Sequence, residues 1–178
     1  MKSFLQICIL AMATLLSACG GSSAQPKGKL IYCSYSETRH AGLGKSYCEL
    51  VADDGKEPYI AVRLDLDSRI VEVPLKADIP IDGSVVEELQ ELLAKNEVYK
   101  LDGYHVDEML DGGATFRIHL EYSSGETVTA DWFGVNIREE AWDAYYLIEG
   151  FFEPWRQQAR EMFPDAQAGD IVEKEPES

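Results

Sequence analysis

Two stretches decide the fold: Thr115-Phe116-Arg117-Ile118-His119-Leu120-Glu121-Tyr122 and Thr127-Val128-Thr129-Ala130-Asp131-Trp132. Both alternate apolar with polar residues, the period-2 pattern of a strand with one dry and one wet face. Ser123-Ser124-Gly125 between them is a hairpin loop signal. A three-residue loop sets Arg117 opposite Asp131 and His119 opposite Thr129. One face then collects Phe116, Ile118, Leu120, Val128, Ala130 and Trp132, and the other collects Arg117, His119, Glu121 and Asp131. A slip of one residue would exchange the two sets, so the register is sharply specified. The run before them, Tyr104–Leu110, ends at Asp111-Gly112-Gly113. Paired antiparallel with the first stretch, it sets Asp107 opposite His119 and His105 opposite Glu121. Val106 and Leu110 join the apolar face. Glu108 is left pointing inward, a device found on edge strands.

Working outward, four more runs read as strands: Leu30–Tyr35, Ser46–Asp53, Tyr59–Leu66 and Arg69–Val73. Asp54-Gly55 is a hairpin turn between the second and third, and Asp67-Ser68 turns the third into the fourth. Ser84 with Glu87 reads as a capping box, opening a helix whose apolar stripe is Val85, Val86, Leu89, Leu92 and Leu93 and whose end is Asn96. A second helix is expected from about Arg138 to Phe152. Pro154 breaks it and starts a further segment, Trp155 to Phe163. The order ββββ-α-βββ-α predicts an α+β domain. It has a mainly antiparallel sheet of about seven strands, with the helices packed on one face.

The first residues form a secretory signal. Lys2 is a positive start, Phe4 to Leu16 is mostly apolar, and small residues precede Cys19. The apolar run is about thirteen residues, short of the roughly 20 a membrane span needs. Leu16-Ser17-Ala18-Cys19 resembles the lipobox of bacterial lipoproteins. That resemblance implies cleavage of residues 1–18 and diacylglycerol on the sulfur of Cys19, with palmitate among the acyl chains. The membrane would then be held through that lipid, with an outer membrane or cell surface favoured over the inner membrane. Residues 19–29, rich in Gly and Ser, read as a flexible tether, residues 30–163 as a single domain, and the polar, acidic residues 164–178 as a disordered tail. Three pieces of the domain are similar to small α+β domains of bacterial envelope lipoproteins: Leu110-Asp111-Gly112, Tyr122-Ser123-Ser124-Gly125 and Trp132-Phe133-Gly134-Val135-Asn136. That resemblance brings no activity with it.

With Cys8 lost in the signal and Cys19 lipidated, Cys33 and Cys48 remain as an even pair in an oxidising compartment. They are expected to form a disulfide, closing a loop worth roughly 3 kcal/mol in the chain-entropy model, with Cys33 opposite Cys48 and Ile31 opposite Leu50. The formal charge of −16 argues against nucleic acid and anionic lipid headgroups as partners.

Catalytic signatures are weak. Gly42-Leu43-Gly44-Lys45-Ser46 lacks the glycine that a phosphate loop needs at position 39, which is Arg. His40, His105 and His119 show no zinc-binding spacing, and there is no serine elbow. The polar face His105, Asp107, Arg117, His119, Glu121 and Asp131 reads as complementary cross-strand pairs. Its rival reading is a metal or acid–base site built from His105, Asp107, His119 and Glu121. The aromatic set Trp132, Phe133, Trp142, Tyr145, Tyr146, Phe151, Phe152 and Trp155 reads chiefly as core, with some surface left for a partner. No cofactor, catalytic residue or metal ligand is assigned. The leading expectation is a non-catalytic envelope lipoprotein that binds or scaffolds another envelope protein or glycan. The alternatives are a small hydrolase or metal-dependent enzyme using the histidine face, and an inhibitor or immunity-type lipoprotein whose acidic surface blocks a basic partner.

Overall fold

The computed structural model describes residues 24–39, 45–53, 55–64, 75–108 and 113–163. The signal segment with Cys19, the expected strand Arg69–Val73, the turns at Asp54 and Asp67-Ser68, and the tail 164–178 lie outside them.

Seven strands form one sheet: β1 (Leu30–Arg39), β2 (Lys45–Val51), β3 (Tyr59–Leu64), β4 (Leu75–Pro80), β5 (His105–Asp107), β6 (Ala114–Tyr122) and β7 (Thr127–Phe133). Their order is β4-β3-β2-β1-β6-β7-β5. Neighbours are antiparallel except β5 and β7. The α+β class and the order ββββ-α-βββ-α are as the sequence indicates. β1 sits at the centre, hydrogen-bonded to β2 on one side and β6 on the other. Two helices, α1 (Gly83–Lys95) and α2 (Glu139–Met162), cover one face. Into that face point Cys33, Tyr35, Cys48, Leu50, Ile60, Val62, Ile118, Leu120 and Trp132, meeting Leu89 and Leu93 of α1 and Ile148 and Phe152 of α2.

The β6–β7 register is as read from the sequence, with Arg117 opposite Asp131 and His119 opposite Thr129. Two other registers differ. Cys33 lies opposite Leu50, and Cys48 opposite Tyr35. The slip is two residues, so every side chain keeps its face while the cysteines become diagonal neighbours. Diagonal positions are about 7–8 Å apart, at or beyond the Cα separation a disulfide tolerates. Both thiols are free and buried, so the expected bridge is not formed. Burial pushes both thiols up, Cys33 far above its ordinary range and Cys48 to about 11.

The second correction concerns β5, which pairs in parallel with β7 instead of antiparallel with β6, setting His105 opposite Asp131. The cause is the segment leading into it. After a 3-10 turn at Val98–Leu101, the Gly103 N–H donates to the Thr129 carbonyl at 2.9 Å, and the Asp131 N–H to the Tyr104 carbonyl at 3.0 Å. The Asp102 carboxylate accepts from the Thr129 N–H at 3.1 Å. β5 therefore enters alongside the start of β7.

Glu108 has a different role from the inward charge expected of it. Its carboxylate accepts from the Val135 N–H at 2.7 Å, the Asn136 N–H at 3.2 Å and the Asn136 amide at 2.8 Å. The side-chain and backbone donors of Asn136 and Val135 hold its pKa below the usual carboxylate range. Gly134, at φ +150°, leaves the space that carboxylate occupies; a Cβ there would collide with it.

The helix ends also differ. Asp82, not Ser84, caps α1, its carboxylate accepting from the Ser84 N–H at 2.8 Å. Pro154 lies inside α2 instead of ending it. A proline removes the hydrogen bond to residue i−4 and crowds that carbonyl. Here residue i−4 is Gly150, and both it and Pro154 are exposed, so the freed carbonyl lies on the solvent side. Tyr145, Ile148, Phe152 and Ala159 are buried on both sides of the proline and hold the two halves to one sheet.

The tether is shorter than its composition suggests. Lys29 and Ser123 exchange hydrogen bonds at 2.8 and 2.9 Å. The Gly28 carbonyl accepts from Gln90 at 3.0 Å, and the Lys27 N–H donates to Glu126 at 2.6 Å. Residues 27–29 are therefore seated against the β6–β7 turn and α1. No helix among the described residues is long and apolar enough to cross a membrane.

Candidate functional site

The aromatic residues divide largely as core. Trp132, Tyr145 and Phe152 are buried. Phe116 stacks on Trp132 with centroids 5.9 Å apart, and Trp142 meets both edge-on. Tyr146 is left exposed, stacked on Trp142 at 5.8 Å.

Among the described residues no helix covers the opposite sheet face. Alternation that buries Cys33, Tyr35, Cys48 and Leu50 turns Tyr32, Ser34, Ser36, Tyr47 and Glu49 outward. β1–β6 pairing then places Ser34 beside His119 and Ser36 beside Arg117. This face is not flat. A depression of about 460 Å³ is lined by Ser34, Ser36, Tyr47, Arg117, His119, Thr129 and Asp131.

Beside the depression a carboxylate is clamped by two phenols, one of which, Tyr47, contributes to its lining. The Tyr32 hydroxyl donates to Glu49 Oε2 at 2.8 Å and the Tyr47 hydroxyl to the same oxygen at 2.5 Å, with the two phenol oxygens 2.7 Å apart. Arg63 donates to Glu49 Oε1 at 3.2 Å, its guanidinium 5.7 Å from the centroid of the Tyr47 ring. Burial, then the bonds to Glu49, push the Tyr47 phenol far up, and burial raises Tyr32 as well. Both phenols stay protonated as donors. Two protons serve three close contacts, so the group is a shared, rigid network.

The floor holds His119. Its Nδ1 lies 2.9 Å from the Thr129 hydroxyl and its Nε2 2.9 Å from Glu121. A proton on Nε2 satisfies both, with Thr129 donating to Nδ1. The Tyr32 ring leans over the imidazole at 5.8 Å. On the far side, His105 Nδ1 lies 2.8 Å from Asp131, with the histidine side chain 62% exposed.

Of the residues singled out in sequence, Arg117, His119 and Asp131 line the depression, Glu121 and His105 flank it by their bonds to His119 and Asp131, and Asp107 lies exposed on the edge strand. The pairs Asp107–His119 and His105–Glu121 are not formed, because β5 lies beyond β7. The constellation required for a histidine–carboxylate metal or acid–base centre is split into two separate pairs. Among the described residues no group of three or more His, Cys, Asp or Glu side chains is placed to hold a metal ion. Sequence reasoning missed Tyr32, Ser34, Ser36, Tyr47 and Glu49. Their alternation was visible, but the neighbour that completes the site, β6, is some 80 residues away in sequence.

A second depression, about 480 Å³, lies at the tether pole. Lys29, Leu30, Asp53, Lys56, Pro58, Val86 and Gln90 are among the residues lining it. It abuts the segment seated by Gln90 and Ser123, so part of it is the space left around the incoming chain.

No protein-family model matches the chain, and a search of curated proteins finds no significant match.

Proposed function

We propose that this chain is a non-catalytic binding module of the bacterial cell envelope, held to a membrane by lipid on Cys19 and binding its partner on the helix-free face of the sheet. The observation that carries the reading is the depression lined by side chains from β1, β2, β6 and β7. It offers hydroxyl, phenol and guanidinium groups on interior strands, where the scaffold is stiffest. The histidines support binding over catalysis. Both ring nitrogens of His119 are engaged by Thr129 and Glu121, which leaves no free lone pair to take a substrate proton. His105, paired with Asp131 of β7, sits on a three-residue edge strand with its side chain open to water, far from the exclusion that acid–base chemistry favours.

The seated tether supports the anchored geometry. Cys19 is eight residues before Lys27, a span of at most roughly 29 Å at full extension. The pole carrying Ser123–Gly125 would therefore stay close to the membrane. Ser34 is four residues up β1 from Leu30, roughly 13 Å further out, so the binding face would look sideways along the surface.

The test uses full-length protein in detergent, immobilised and exposed to solubilised envelope material. Ser36→Trp, which fills the depression, is expected to abolish retention while leaving the unfolding midpoint nearly unchanged. Glu88→Trp, on the exposed side of α1, should retain as the wild type does. Equal retention by both variants would overturn the assignment of the face.

A further inference from the structure

Resting on that reading of the face, we infer that the depression takes a polyhydroxylated ligand bearing a single carboxylate, an acidic sugar residue, with Arg117 as the group that holds the carboxylate. The other charged groups at the site are mutually engaged. Glu49 is held by Tyr32, Tyr47 and Arg63, Asp131 by His105, and Glu121 by His119. Arg117 lines the depression and is exposed. Among the described residues its guanidinium makes no hydrogen bond or ion pair. A planar fork of donors left open in a walled site matches a carboxylate bidentately.

The charge of the whole chain narrows the ligand. A formal −16 repels polyanions at long range, so nucleic acid, polyphosphate and densely sulfated glycans fit poorly. One carboxylate on an otherwise neutral body keeps the local attraction with little of that repulsion. The rest of the lining is suited to hydroxyl groups. Ser34, Ser36, Thr129 and Tyr47 line the depression together with Arg117. Ser36 is half-buried and Ser34 is buried, while the Tyr47 and Thr129 hydroxyls are bonded to Glu49 and His119 but keep acceptor lone pairs.

A peptide C-terminus also carries one carboxylate, but the topology disfavours it. Extended peptides bind by adding to a sheet edge, and β1, β2, β6 and β7 each have a neighbour on both sides. Among the described residues the lining also includes no aliphatic side chain to form a socket for a peptide side chain.

The experiment titrates D-glucuronate, D-glucose and triglycine separately into full-length, 15N-labelled protein in detergent micelles, following the amides of Ser36, Arg117 and His119. Glucuronate is expected to bind saturably, with a Kd on the order of 1 mM for so small a ligand. Glucose should bind at least roughly tenfold more weakly, and Arg117→Gln should weaken glucuronate by a similar factor, as loss of a charge-assisted bond implies. Equal binding of glucose and glucuronate, or an unchanged Kd in Arg117→Gln, overturns the role of Arg117. Triglycine binding more tightly than glucuronate overturns the sugar class. No binding of glucuronate overturns the inference. If Ser36→Trp still abolishes envelope retention in that case, the face reading stands and the ligand chemistry alone is wrong. If Ser36→Trp retains normally, the face itself is misassigned.

Discussion

Leu120→Ala tests which face of the sheet is buried, and every functional statement depends on that. Leu120 is fully buried on β6, opposite Cys33 of β1 and Val128 of β7. Both neighbours belong to hydrogen-bonded interior strands, so the backbone around the lost side chain has little freedom to collapse into the cavity. Leucine-to-alanine changes in such sites cost about 3–5 kcal/mol, the upper part of the usual range. For a domain of this size, roughly 3–5 °C of midpoint shift accompanies each kcal/mol, which predicts a fall of about 10–25 °C. The adjacent residue Glu121 faces the other way; its side chain is 45% exposed and pairs with His119. Its removal should cost about 1 kcal/mol or less. Thermal unfolding followed by circular dichroism, repeated by urea titration with equal slopes, measures both. Equal losses, or a larger loss for Glu121→Ala, would show that the faces are reversed and would put His119 in the interior.

Pro154→Ala should stabilise the protein by about 1–3 kcal/mol by restoring the bond to the Gly150 carbonyl; a loss of stability would mean that α2 depends on a bend at that point. Cys33 and Cys48 should resist iodoacetamide in the native state, because burial raises both thiols. Both should be alkylated after unfolding without reductant, and a mass showing a blocked pair would refute the register that separates them. Glu108 has a folded pKa below its unfolded value, so its contribution is present above the ordinary carboxylate pKa, about 4.3, and is lost as pH falls through the folded value. Glu108→Gln should therefore lower the unfolding midpoint at pH 7, with the gap to wild type closing below about pH 4; a gap independent of pH would remove the carboxylate from the loop after β7.

What could be read in the sequence was local. The β6–β7 register followed from alternation, which excludes a one-residue slip, and from a short glycine-ended loop, which excludes a two-residue one. Ile118, Leu120 and Trp132 are buried with Phe116 packed against them, and on the other face Arg117 is exposed while His119, Glu121 and Asp131 are half-buried. β4 was overlooked even though Lys76 and Asp78 alternate with the buried Ala77 and Ile79; six residues ending in Pro80 gave a short signal. The Cys33–Cys48 bridge failed because chemistry was used to set a register, and a slip of two residues preserves the hydrophobic pattern that might have corrected it. β5 failed for a different reason: its place is fixed by Asp102, Gly103 and Tyr104 bonding to β7, contacts to which periodicity is blind. Half of the candidate site was named from β6 and β7. The half on β1 and β2 depended on which strand neighbours β1, a long-range choice that leaves no local trace.

The central claim, that the helix-free face is where this chain meets its partner, is tested most directly by site-specific crosslinking in cells that make the full-length protein. A photoreactive amino acid at position 36, on the floor of the β1–β6 region, is predicted to give a discrete covalent adduct, and one at position 88 on the outer side of α1 none. Adducts from position 88 with none from position 36 would contradict the account and move the binding surface to the helical side.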